Sequence, residues 1–122
     1  MKYKLSVFKK FSSAHALRGY KGKCENLHGH NWTVRVCLCG SKLDNIGMLV
    51  DFTDMKSHLG KIMAELDHKF LNETPPFDKI NPTAENIATF IFNEMRFFET
   101  DDIKVYEVEV WESDTSSAVV SL

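Results

Sequence analysis

His28 and His30 are separated by a single glycine and followed by an apolar run. Side chains alternate along a β-strand, so residues i and i+2 share a face and the spacing predicts two imidazoles side by side. His15 lies near the end of an earlier alternating stretch and is a candidate third ligand. Three histidines with one open position are the usual form of a catalytic zinc site, whereas four closed ligands mark a structural one. Cys24 and Glu25 lie just upstream of the pair. An unperturbed thiol has a pKa of about 8.5, and a nearby cation or metal lowers it. Cys24 is therefore readable as a fourth ligand, as a nucleophile or base, or as an ordinary loop thiol. Cys37 and Cys39 fall on the opposite strand face and read as small buried apolar groups.

Two further groups could do proton chemistry or bind substrate. Asp67 and His68 are adjacent at the end of a helical pattern, and become an acid–base pair only if the local turn brings them together. Glu112 is in phase with Val108 and Val110, next to Trp111. A carboxylate there is expensive to bury without a partner. A ligand with two adjacent N–H donors, such as a 2-amino-4-oxopyrimidine ring, would suit its two oxygens. The alternative is that the strand has ended and Glu112 is solvated.

These groups need elements to hold them. Tyr3, Leu5 and Val7 alternate with Lys4, Ser6 and Phe8, predicting a first strand that leads towards His15. Residues 18–26, with Gly19, Gly22 and two lysines, read as a loop. From His28 to Leu38 the even positions are His28, His30, Trp32, Val34, Val36 and Leu38, so the histidines share their face with apolar residues and the site should be shielded. Met48 to Phe52 reads as a short strand or strand extension. Thr53 is the expected N-cap of a helix whose apolar positions are Met55, Leu59, Ile62, Met63 and Leu66. A loop containing Pro75 and Pro76 follows. Thr83 then caps a second helix facing the core with Ile87, Phe90, Ile91 and Met95. A strand over 103–112 carries Tyr106, Val108, Val110 and Glu112 on one face, and a last strand runs from about Ser117 to Leu122. The order β-β-α-α-β-β with short strand connections favours an α+β layer, an antiparallel sheet with two helices on one face.

Composition bounds the rest. The chain has 122 residues, 43% hydrophobic and 26% charged, the profile of a soluble globular protein and of a single domain over 1–122. A net charge of −2 gives no electrostatic case for nucleic acid or anionic membrane. No apolar run approaches the ~18 residues of a membrane helix, and the N-terminus lacks the pattern of a signal peptide. Three cysteines do not form a disulfide framework, and a reducing cytoplasm is the economical expectation. Nine phenylalanines in so small a chain suggest surface buried in an oligomer.

Taken in order, Phe11-x-x-Ala14-His15, Cys24-x-x-x-His28-Gly29-His30, Val50-Asp51-Phe52, Leu66-Asp67-His68-x-x-Leu71-Asn72, Asn81-Pro82-Thr83-x-Glu85-Asn86 and a late Glu112 span nearly the whole chain. This series resembles the 6-pyruvoyl-tetrahydropterin synthase family, whose bacterial branch includes 6-carboxytetrahydropterin synthase of queuosine biosynthesis. The resemblance implies the tunnelling fold, a four-stranded antiparallel sheet with two helices on one side. It also implies trimers that join their sheets into a barrel and stack as a hexamer, with active sites at subunit interfaces. By the same resemblance His15, His28 and His30 would hold zinc. Cys24 with Asp67 and His68 would be catalytic, Glu112 would anchor the pterin, and Thr83 and Glu85 would lie near it.

The activity so implied is that of a zinc-dependent lyase acting on 7,8-dihydroneopterin triphosphate. The compact chain and the spacing from Cys24 to His28 look like the queuosine branch, which makes 6-carboxy-5,6,7,8-tetrahydropterin, acetaldehyde and triphosphate. The alternatives are the 6-pyruvoyl product and, because Glu25 stands in an E-x-x-H-G-H pattern, the 6-hydroxymethyl-dihydropterin of the folate branch. Outside this class stand a non-catalytic zinc module, with Cys24 closing the site, and a simple metallohydrolase.

Overall fold

The computed structural model describes residues 1–21 and 26–122. Its strands are β1 (Tyr3–His15), β2 (His28–Gly40), β3 (Ile103–Ser113) and β4 (Ser116–Ser121), and its helices α1 (Phe52–Leu66) and α2 (Ala84–Met95). The strands lie in the order β1-β2-β3-β4, every neighbouring pair antiparallel. Helix α1 packs on β1, and α2 on β3 and β4. This is the expected four-stranded sheet with two helices. No helix among the described residues is long and apolar enough to cross a membrane.

The core follows from the two periodicities. Val7 and Phe11 on β1, Trp32, Val34, Val36 and Leu38 on β2, and Val105, Val108 and Val110 on β3 face Met55, Leu59, Ile62, Met63 and Leu66 of α1, and Ile87, Ala88, Ile91 and Met95 of α2. Each such Val, Leu, Ile or Met side chain contributes about 1.5–3 kcal/mol when fully buried. Phe11 stacks on Trp32 at 5.7 Å, the pair forming the core layer next to the histidines. Helix α1 buries the five residues its spacing predicts. On α2 Ala88 is buried and Phe90 only partly so.

Strand β1 runs on through Ser12, Ser13 and Ala14 because Phe11, Ser13 and His15 keep its inward phase and its pairing with β2 continues. That register sets His15 opposite His28 and Ser13 opposite His30.

Three expectations are corrected. Residues 48–51 are not a strand. Asp44 closes a tight loop there, its Oδ1 accepting from Ile46 N and Met48 N at 3.0 Å each, while Gly47 adopts φ 83°. The chain then turns directly into α1. The N-cap of α1 is Asp51, not Thr53, since the Asp51 carboxylate accepts from the Thr53 N–H at 2.8 Å. Tyr106 leaves the face of Val108 and Val110, because Cys37 pairs with Glu107 and Leu38 with Val105. The extra residue is a β-bulge, which turns Val105 into the core instead and puts the Tyr106 ring 3.8 Å from Lys4 Nζ. The loop before α2 contains a 3₁₀ turn at Leu71–Glu73. His58 ties α1 to the end of α2, its Nε2 3.0 Å from Glu94 O and its ring stacked on Phe97.

Candidate metal and catalytic site

His15, His28 and His30 converge at the end of the β1–β2 ribbon. Cross-strand partners share a face, so pairing His15 with His28 brings rings thirteen residues apart in sequence to 4.6 Å between centroids. His28 and His30 stand 4.6 Å apart, and His15 and His30 5.1 Å. Trp32 is their floor, edge-on to His15 at 4.9 Å and to His30 at 5.3 Å, with its indole N–H donating to Ser13 O at 3.2 Å. His15 is 1% exposed.

The ring nitrogens have defined roles. His15 Nδ1 lies 2.7 Å from Pro82 O, and His28 Nδ1 lies 2.9 Å from Asn26 O. A carbonyl only accepts, so each Nδ1 carries the hydrogen, and a neutral ring then presents an Nε2 lone pair. The two Nε2 atoms face each other at 3.0 Å. Two facing lone pairs repel, and a cation between them reverses the sign. Metal-ligating histidines characteristically donate their other N–H in this manner, which fixes tautomer and ring plane. Four tetrahedral donors about 2.0–2.2 Å from zinc would stand roughly 3.3–3.6 Å apart. The donor atoms of His15, His28, His30 and Glu112 all lie within 4.8 Å of one another. The histidine-rich donor set fits zinc.

Glu112 reaches this group from β3. Trp111 pairs with Ser117 and Ser113 with Ser116, leaving Glu112 as the extra residue of a second bulge. A bulge re-aims a side chain, and here Glu112 Oε1 comes to 3.0 Å from His30 Nε2 and 3.9 Å from His15 Nε2. The side chain stays 37% exposed. On its solvent side a cavity of about 190 Å³ is lined by Glu112, Glu85, Ala84, Ser116, Ser117 and Ala118. Glu85, in the first turn of α2, thus shares a cavity with Glu112. Thr83 is the α2 N-cap, its Oγ1 accepting from the Asn86 N–H at 3.1 Å.

Asp67 and His68 form their pair locally. His68 takes a left-handed conformation, φ 54°, directly after α1. Its backbone N–H then reaches Ser12 O at 2.6 Å, while its Nδ1 meets Asp67 Oδ2 at 2.9 Å. Asp67 Oδ1 accepts from the Ser12 N–H at 2.8 Å. The Ser12 N–H first, and the His68 ring second, hold the Asp67 carboxyl below its ordinary range. The His68 side chain is 83% exposed. Residues 67–70 dock along β1, with Ala14 N donating to Lys69 O at 3.1 Å and Ser13 Oγ donating to Leu66 O. The dyad therefore hangs from the strand that carries His15. Cys24 and Glu25 lie outside the described residues.

What residue spacing missed is the support behind the ligands. The carbonyls of Pro82 and Asn26 are invisible to a reading of side-chain types, and so is the Glu112 bulge. Asn81 and Asn72 stand in conspicuous motifs, yet no pattern of spacing links them to His15.

A family model described as 6-pyruvoyl tetrahydropterin synthase matches residues 4–121. The chain is 33% identical over 136 residues to 6-carboxy-5,6,7,8-tetrahydropterin synthase of Haemophilus influenzae, covering 93% of this chain and 95% of that protein. It is 36% identical to 6-pyruvoyl tetrahydrobiopterin synthase of Dictyostelium discoideum, covering 89% and 88%. Among solved structures, 6-pyruvoyl tetrahydropterin synthase of Caenorhabditis elegans superposes with a TM-score of 0.85 over 100% of this chain and 96% of that one, at 24% identity. That last likeness speaks for the fold, and the matches in sequence carry the kinship. The chain belongs to the 6-pyruvoyl tetrahydropterin synthase family, a family of pterin synthases.

Proposed function

We propose that this protein is a zinc-dependent lyase that converts 7,8-dihydroneopterin triphosphate into 6-carboxy-5,6,7,8-tetrahydropterin, acetaldehyde and triphosphate. The observation that carries the reading is the facing pair of Nε2 lone pairs on His15 and His28, 3.0 Å apart with both Nδ1–H groups committed to carbonyls. The 6-carboxy product is favoured by the name of the Haemophilus relative, aligned over nearly its full length. With water taken up, the reaction balances without an outside oxidant, since the ring gains the hydrogens that the side chain gives up.

The residues divide the work as follows. His15, His28 and His30 would hold zinc, which when bound supplies a Lewis acid that acidifies the substrate's side-chain hydroxyls. Glu112 would accept from the adjacent N–H groups of the pyrimidine edge, charge-assisted and bidentate. Glu85 and Thr83 would border the same ring. Cys24, as thiolate, would remove the proton from the side-chain carbon next to the ring. Asp67, ionised at neutral pH, would orient His68 through Nδ1, leaving Nε2 to exchange protons with the hydroxyls.

The working form would be a cytoplasmic hexamer of two trimers. Two features support an assembly: β4 leaves one edge of the sheet open, and Phe8 stacks on Trp111 at 6.4 Å while remaining exposed. The function is tested by incubating the zinc-loaded protein with 7,8-dihydroneopterin triphosphate and weighing the pterin formed. A 6-carboxy product is expected. A 6-pyruvoyl or 6-hydroxymethyl product would replace this reading with one of its sister activities, the latter pointing to Glu25. Zinc binding with no turnover would leave a binding module.

A further inference from the structure

We propose that Asn81 is a positioning residue for the metal site, holding the carbonyl that fixes the His15 tautomer; this rests on the zinc reading above. The Asn81 side chain acts as a substitute strand neighbour for the chain leaving β1. Its Oδ1 accepts from the Arg18 N–H at 2.8 Å, and its Nδ2 donates to Arg18 O at 2.9 Å. Its own backbone carbonyl accepts from the Thr83 N–H at 2.9 Å and from Asn86 Nδ2 at 2.8 Å. Residue 81 is thereby tied on one side to the segment that follows β1 and on the other to the first turn of α2.

Between these ties stands Pro82. The proline ring fixes φ near −65° and offers no N–H, so its carbonyl direction follows from how its neighbours are anchored. That carbonyl accepts from His15 Nδ1 at 2.7 Å in a buried setting. If the turn relaxes, His15 loses the acceptor that keeps its hydrogen on Nδ1. The other tautomer carries the hydrogen on Nε2, the nitrogen that faces the other donors, and cannot ligate through it. Changes to such outer partners typically weaken metal affinity by about 10–100-fold. Asn81 never reaches the metal, and acts through Pro82 and His15.

The test measures zinc affinity by chelator competition and the visible spectrum of the cobalt-substituted protein, for the unaltered chain, His15→Ala, Asn81→Ala, Asn81→Asp and Ile62→Val. Asn81→Ala is expected to bind zinc about 10–100-fold more weakly and to shift the cobalt bands. Asn81→Asp keeps the acceptor for Arg18 and should lose less. Ile62→Val, buried on α1, should melt earlier with zinc affinity unchanged, which separates positioning from general stability. Unaltered zinc affinity in Asn81→Ala overturns the proposal, and should that variant not fold, unaltered affinity in Asn81→Asp does so. Zinc binding that is absent, or insensitive to His15→Ala, overturns the metal reading itself and is read from different samples.

Discussion

Glu112 Oε1 lies 3.0 Å from His30 Nε2, a contact between the strand bulge of β3 and the start of β2. One carboxylate thus stands where it could complete a metal's donor set and where it borders the cavity shared with Glu85. The two roles make opposite predictions. A charged hydrogen bond contributes about 1.5–3 kcal/mol, so Glu112→Ala should weaken binding of a pterin by roughly 10–100-fold while zinc stays bound. Calorimetric titration with a pterin and metal analysis of the same sample decide it. Lost zinc with unchanged pterin affinity would make Glu112 a ligand.

Replacing Cys24 by Ala separates chemistry from binding. If the thiolate takes the proton, turnover should fall to background while zinc content and pterin affinity hold. A variant that turns over normally removes Cys24 from the mechanism. One that loses its zinc makes Cys24 a ligand.

Asp67 should mark the acid limb of stability. Its carboxyl is held low, chiefly by the Ser12 N–H and then by His68. A depressed carboxylate contributes stability that is fully present above its unfolded pKa of about 3.9, and that fades as pH falls through the lower folded value. Denaturant unfolding of the native chain and Asp67→Asn should therefore differ above about pH 5, with the gap closing on further acidification. A gap that persists unchanged at pH 2 would contradict the assignment. Above that limb Asp67 remains an acceptor for His68 and not an acid.

Thr83 has a structural task that any substrate contact must be weighed against. Its hydroxyl caps α2. Thr83→Ala should cost about 1 kcal/mol, a fall in Tm of roughly 3–6 °C for a chain this size. If capping is its whole contribution, KM will be unmoved. A rise in KM at the same kcat would place the side chain at the substrate.

Much of the fold is legible in residue order because periodicity is local. Alternation from His28 to Leu38 and the 3.6-residue spacing of Met55, Leu59, Ile62, Met63 and Leu66 each report burial on one face. The α1 face is buried throughout, and the β2 face is buried from Trp32 to Leu38 with His28 and His30 half-buried at its end. Tyr106 defeats the same logic. A single extra residue reverses the phase of a strand, and nothing local to Tyr106 says that Leu38 will pair with Val105. Met48 to Phe52 looks extended and apolar, but a strand needs a neighbour, and the Asp44 loop and Asp51 cap turn the chain away from any.

For the site, the sequence by itself offered His15, His28 and His30 as candidate ligands and determined that two of them share a face, since His28-Gly29-His30 requires only the two-residue repeat of a strand. Only the tertiary structure decided what those nitrogens do. The β1–β2 register brings His15 across to His28, a bulge swings Glu112 to His30, and a carbonyl sixty-seven residues from His15 sets its tautomer. Ligand chemistry is a property of side-chain type, while protonation and direction are set by whatever the folded chain lays against each ring.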